Sequence, residues 1–260
     1  MLTTSASYNV ITKNLTRTLD AAAKQPMVAR ETEYYLANIG KVTSIDDFLD
    51  DKRLFTYAMK AFGLEDMSYA KALIRKVLKE GIDDESSFAN TLADQRYKDF
   101  ATAFNFQRYG TATTAFDRTQ QGTVDRYVRQ VVEEDAGKDN DGVRLALYFQ
   151  RKASSVTSAY GILADPAILK VAQTVLGLPA SLSNLDIDKQ ADIIKSKFDI
   201  TDLQDPAKVD KLLQKFTSLW EIANPSQPAA VPSIIIGQGS TGAIGMDLLT
   251  SLQNLRLGGS

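Results

Sequence analysis

The chain has 260 residues, 44% of them hydrophobic, enough for one large domain or two smaller ones around a true apolar core. Its 30 Lys and Arg against 32 Asp and Glu leave a formal charge of -2, so there is no strong field to hold nucleic acid or an anionic membrane. With 0 Cys and 0 His, thiolate nucleophiles, disulfides, imidazole bases, Ser-His-Asp triads and the usual zinc spheres are excluded, and with them most familiar enzyme classes.

The opening, MLTTSASYNVITKNL, has neither a basic start nor a continuous apolar stretch, and no run of about 18 apolar residues occurs anywhere. No Sec signal and no membrane insertion are expected, and the default location is the cytoplasm. The spacing of Ile11, Leu15 and Leu19 ahead of Pro26 predicts an amphipathic helix over residues 1–27. Its stripe either docks a partner or packs back on the body.

From residue 28 the chain reads as all-α. Shifted by 114 residues, VTSIDDFLDDKRLFTYAMKAFGL from Val42 lies without a gap over VTSAYGILADPAILKVAQTVLGL from Val156, with identity of about a third. Most differences exchange one apolar residue for another: Phe48 over Ile162, Leu54 over Ile168, Phe55 over Leu169, Phe62 over Leu176. Arg30 falls over Arg144, Tyr34 over Tyr148 and Tyr35 over Phe149. An internal duplication of roughly 80 residues is the expectation, with a first helical repeat over 28–106 and a second over 142–223. Leu-x-Asp recurs at Leu49/Asp51, Leu92/Asp94, Leu163/Asp165 and Leu203/Asp205, and Pro166 and Pro206 follow directly. Asp accepts orphan amides as an N-cap, and proline at the first helical position loses no hydrogen bond. Gly63 and Gly177 are the expected stops.

Between the repeats, residues 107–141 are read as a connecting helix and loop. Val124, Tyr127, Val128, Val131 and Val132 make one apolar face, and EEDAGKDNDG ends it. ANPSQPAAVPS opens a Pro/Gly-rich linker over 224–243, and Ile244, Leu248, Leu252 and Leu255 form a second amphipathic stripe over 244–260. The residues proposed for partner binding are therefore Ile11, Leu15, Leu19, Ile244, Leu248, Leu252 and Leu255.

Four constellations invite chemical readings. Ser233–Ile236 followed by Gly237, Gly239 and Gly242 has the outline of a dinucleotide turn, but no second strand follows and Asp247 lies too close to reach a ribose. Asp139, Asp141 and Gly142 imitate part of a calcium loop. In that register Tyr148 occupies the place of the bidentate Glu, so a solvated turn capped by Asp141 is the better reading. Glu31, Glu33, Glu65 and Glu80 are the candidates for a carboxylate pair of the glycoside-hydrolase kind. Tyr34, Tyr35, Phe48, Phe55, Tyr57 and Phe62 line a groove or, by default, a core. No cofactor, metal or catalytic residue is assigned.

VARETEYYLANIGKVTSIDDFLDDKRLFTYAMKAFGLEDMSYAKALIRKVLKEG, Val28 to Gly81, closely resembles the bacterial family catalogued as domain of unknown function 1217, and the resemblance continues through SFANTLADQRYKDFATAFNF into the second repeat. It implies an all-helical protein of alphaproteobacteria whose gene lies among flagellar genes, with no catalytic residues to carry over. Axial flagellar proteins share helical ends, lack of Cys and export without a cleaved signal. The expected function is thus a non-enzymatic structural or assembly protein of the bacterial flagellum, acting through protein contacts and located there after signal-less export. The alternatives are a cytoplasmic chaperone or adaptor for exported subunits and a carboxylate-dependent peptidoglycan hydrolase.

Overall fold

Most helix starts in the described residues are set by side chains that close on orphan amides. In the structure, a computed structural model that describes residues 2–225, the helices run α1 (Thr4–Lys13), α2 (Leu15–Ala23), α3 (Pro26–Ile39), α4 (Ile45–Asp50), α5 (Lys52–Ala61), α6 (Lys71–Glu80), α7 (Phe88–Thr91) and α8 (Gln95–Ala103). They continue with α9 (Phe106–Tyr109), α10 (Gln121–Asp139), α11 (Asp141–Lys152), α12 (Ala159–Ala164), α13 (Pro166–Leu176), α14 (Ile187–Lys197) and α15 (Pro206–Ala223). Short 3-10 turns join several of them, and no strand occurs among the described residues. The fold is all-α. Residues 226–260 lie outside the described residues, and with them the Ser233–Ile236 run, the Gly237-x-Gly239-x-x-Gly242 motif and the stripe of Ile244, Leu248, Leu252 and Leu255.

The Leu-x-Asp reading holds at every site. Asp51 accepts from the amides of Arg53 and Leu54, and Asp165 from those of Ala167 and Ile168. Asp94 and Asp205 cap α8 and α15, and Pro166 and Pro206 stand in the first turn of their helices. Gly177 ends α13 at φ 64°, in the left-handed region where a Cβ is strained.

Several contacts recur at the 114-residue shift. Ser44 and Ser158 cap α4 and α12, accepting from the amides of Asp47 and Gly161. The Tyr34 hydroxyl donates to Asp51 at 2.9 Å, and that of Tyr148 to Asp165 at 2.6 Å. Tyr35 and Phe149 are both buried, as are Phe48 and Ile162, and Leu54 and Ile168. Each tyrosine ties its helix to the Asp that starts another helix 17 residues on.

The apolar residues condense into two cores. The first gathers α2 to α10 around Phe48, which packs against Phe55, Phe100 and Phe104, and around the stacked rings of Tyr35, Tyr57 and Tyr127 at 4.4 and 3.8 Å. The second joins α11 to α15 with Tyr8 of α1. The aromatic cluster seen in the sequence is thus core: Tyr35, Phe48, Phe55, Tyr57 and Phe62 are buried, and Tyr34 is half-buried at its edge.

Two sequence expectations are corrected here. Residues 1–27 do not form one helix. α1 ends at Asn14 (φ -121°, ψ 30°) and α2 begins at once, with Ile11 touching both cores and Leu19 the first alone. The turn after α10 is capped by Asn140, whose side chain accepts from the Gly142 amide, and Asp141 is the first residue of α11.

Candidate functional site

α10 and α11 reverse direction within one residue, Asn140, and pack along each other. Gly137 makes the approach possible, since a Cβ there would press into the Arg144 side chain, about 2.8 Å from its Cδ. Gly142 lies flat beneath the Trp220 indole of α15, which a Cβ would overlap. Facing polar residues of this hairpin make the floor of a cleft of about 570 Å³. Its first wall carries Lys60 from the last turn of α5, Glu65 and Asp66 from the following 3-10 turn, and Asp94 with Arg96 from the start of α8. Its second wall carries Tyr148 of α11 and the N-terminus of α13, Asp165 to Ala167. Gln130, Glu133 and Glu134 project from α10.

Most of these charges are already matched. Arg96 lies against the Asp94 carboxylate with Nη2 to Oδ2 at 2.7 Å, and also donates to the Gly63 carbonyl. Burial disfavours its charge, yet Asp94 outweighs this and the guanidinium pKa is raised. Lys60 follows the same pattern: burial lowers its pKa, but the Glu134 carboxylate at 2.7 Å and Glu65 at 3.4 Å bring about a net rise. Burial, with the Asp165 carboxylate beside it, pushes the Tyr148 hydroxyl far up, so it serves as a hydrogen-bond donor at neutral pH.

Beneath the cleft lies the most buried charge of the protein's described residues that sits in an ion pair. Glu133 is 2% exposed and takes Arg151 on both oxygens, at 2.8 Å on Oε1 and 2.7 Å on Oε2, while Arg129 shares Oε1 at 3.1 Å. Arg129 also donates to the Leu147 carbonyl, and Arg151 to the Gln130 side chain. Burial works against the Arg151 charge and Glu133 more than restores it. No sequence motif marks this trio, because its third member, Arg151, lies on the next helix. The four-residue step from Arg129 to Glu133 does place both on the apolar side of α10.

Of the carboxylates singled out for acid–base work, Glu31 and Glu65 line one open cleft of about 490 Å³ with Lys60 and Arg53, and Glu33 and Glu80 are not part of it. Glu31 pairs with Arg53 at 2.6 Å, and that hydrogen bond holds its carboxyl below the ordinary value. Glu80 accepts from the Phe88 amide, Glu65 faces Lys60 at the cleft, and Glu33 is exposed on α3. The first terminal stripe is applied to the body: Ile11 and Leu19 pack on the cores and Leu15 is half-buried. Among the described residues no group of three or more metal-ligating side chains is placed to hold a metal ion, and no helix is long and apolar enough to cross a membrane.

The family model described as "Protein of unknown function (DUF1217)" matches residues 61–209, more than half of the chain and spanning parts of both cores. The X-ray crystal structure of the Agrobacterium tumefaciens protein AGR_C_984 is 50% identical and superposes with a TM-score of 0.81, over 85% of this chain and 94% of that one. No curated protein matches.

Proposed function

We propose that this chain, which belongs to the DUF1217 family, is a non-enzymatic structural or assembly protein of the bacterial flagellum that works through protein contacts made by segments at its two ends. One observation carries the reading. The Thr4 amide and hydroxyl both donate to one Glu221 carboxylate oxygen, at 2.8 and 2.5 Å, and Asn140 donates to the Thr4 hydroxyl at 2.9 Å. This clasp pins the first turn of α1 beside the last turn of α15, so both ends of the described body meet at one pole. Glu221 places a carboxylate against the free amides of the α1 N-terminus, where the helix dipole favours it.

A body with paired terminal helices is the layout that axial flagellar proteins share, and the flagellar part of the proposal rests on the genetic setting that the family resemblance implies. The repeated Tyr–Asp and Ser-cap contacts favour a duplicated architectural unit over a single reaction centre. The charged cleft suits this reading as well, because its cations are held by its own anions and present no unpaired set for a substrate.

The test is a deletion of residues 234–260. The shortened protein is expected to keep its helical content and thermal transition while losing its partner in co-purification and impairing swimming. Normal motility in the deletion strain contradicts the proposal.

A further inference from the structure

We infer that a cleft at the end of α12 receives a lysine side chain of a protein partner, whose ammonium takes the helix carbonyl that Lys71 takes at the end of α4. The two helices hold the same place in the 114-residue register. Each is six residues long, starts on a serine cap and runs into the Asp that caps the next helix. Their last carbonyls are met differently. At α4 the Asp51 amide donates to the Asp47 carbonyl, and Lys71, the first residue of α6, donates through Nζ to the Leu49 carbonyl at 2.6 Å.

α14 packs on α12 as α6 packs on α4, but it opens with Ile187, and the residue 114 positions after Lys71 is Leu185. Neither side chain can donate. The Asp165 amide makes no bond back to α12, Pro166 has no amide, and the amides of Ala167 and Ile168 go to the Asp165 carboxylate. Among the described residues, the Leu163 carbonyl, counterpart of the one that Lys71 takes, thus receives no donor from outside α12. Gly161, Leu163 and Ala164 line a cleft of about 550 Å³ with apolar walls at Val156, Ile168 and Ile187. A lysine suits it, because its methylenes bury against apolar walls while its ammonium brings three donors to the carbonyls. Asp165 and the negative end of α12 favour a cation, and Lys152, which also lines the cleft, is drawn off to Asp99 at 2.5 Å. Tyr160 and Ile187 on its lining are exposed, so the occupant is a lysine set among apolar residues. This inference is independent of the flagellar reading and of the terminal segments.

The test titrates the full-length, nitrogen-15-labelled protein at neutral pH with the peptide acetyl-Ala-Leu-Lys-Leu-Ala-amide, and with the same peptide carrying norleucine in place of lysine. Norleucine keeps an apolar stem and lacks the ammonium. The lysine peptide is expected to move the amide resonances of Gly161, Leu163 and Ala164 and to bind tighter than the norleucine peptide by on the order of tenfold or more. Ile187→Lys, at an exposed position, supplies an ammonium from within the chain and is expected to abolish that binding, whereas Ile187→Met retains it. Equal binding of the two peptides, no response at these three amides, or unchanged binding to the Ile187→Lys protein overturns the inference.

Discussion

At the residue scale, the close approach of Gly142 to Trp220 is a sharp constraint on the chain. The α10–α11 turn lies against α15 only because residue 142 has no Cβ. Gly142→Ala forces the indole away and is expected to destabilise the protein by about 1–3 kcal/mol, in the range of overpacked cores, read as a lower urea midpoint. Glu31 supplies a pH-dependent counterpart. Its carboxyl pKa is depressed in the folded state by the Arg53 hydrogen bond, so its contribution is present above the ordinary value near 4.5 and is lost as pH falls through the depressed one. Glu31→Gln is therefore expected to lower the thermal midpoint modestly at neutral pH, with the gap to the parent closing as the medium is acidified below about pH 4.5. A gap that stays constant through that window assigns the loss to packing and not to charge. Gly142 was visible in the sequence only as part of a false calcium loop, because the residue that demands a glycine there stands 78 positions later.

At the scale of elements, the caps and stops were legible because their signals are local: Asp followed by Pro, or Gly after an apolar face, acts within one turn. The buried face of α10 was legible from Val124, Tyr127, Val128, Val131 and Val132, but not its end, since the helix runs on through Asp139. The division of α1 from α2 was not legible either. Ile11, Leu15 and Leu19 make one continuous stripe on paper, and the structure breaks it at Asn14, with Ile11 touching both cores and Leu19 the first alone. The burial of Glu133 was hidden too, since its partner Arg151 lies on the next helix. Removing one member of a buried ion pair leaves the others uncompensated, so Glu133→Ala is expected to cost about 3–5 kcal/mol. Replacing Arg129, Glu133 and Arg151 together by Met, Leu and Met is expected to cost far less, as measured by denaturant unfolding. A triple variant as unstable as the single one shows that the trio's shape, and not its charge balance, matters.

At the scale of the described body, two cores, the hairpin between them and the clasp of Thr4, Glu221 and Asn140 bring the two ends of residues 2–225 together. The all-α class followed from periodicity and capping, but the meeting of the ends did not, because it depends on a contact spanning 217 residues. If the chain is a flagellar structural or assembly protein, as proposed above, its location in the cell reports it. Motile cells and an export-apparatus mutant are fractionated, and cytoplasm, envelope and purified basal bodies are probed with an antibody to the protein. Recovery with basal bodies in motile cells and loss of that fraction in the mutant are expected. Recovery in the cytoplasm alone, equal in both strains, contradicts the proposal.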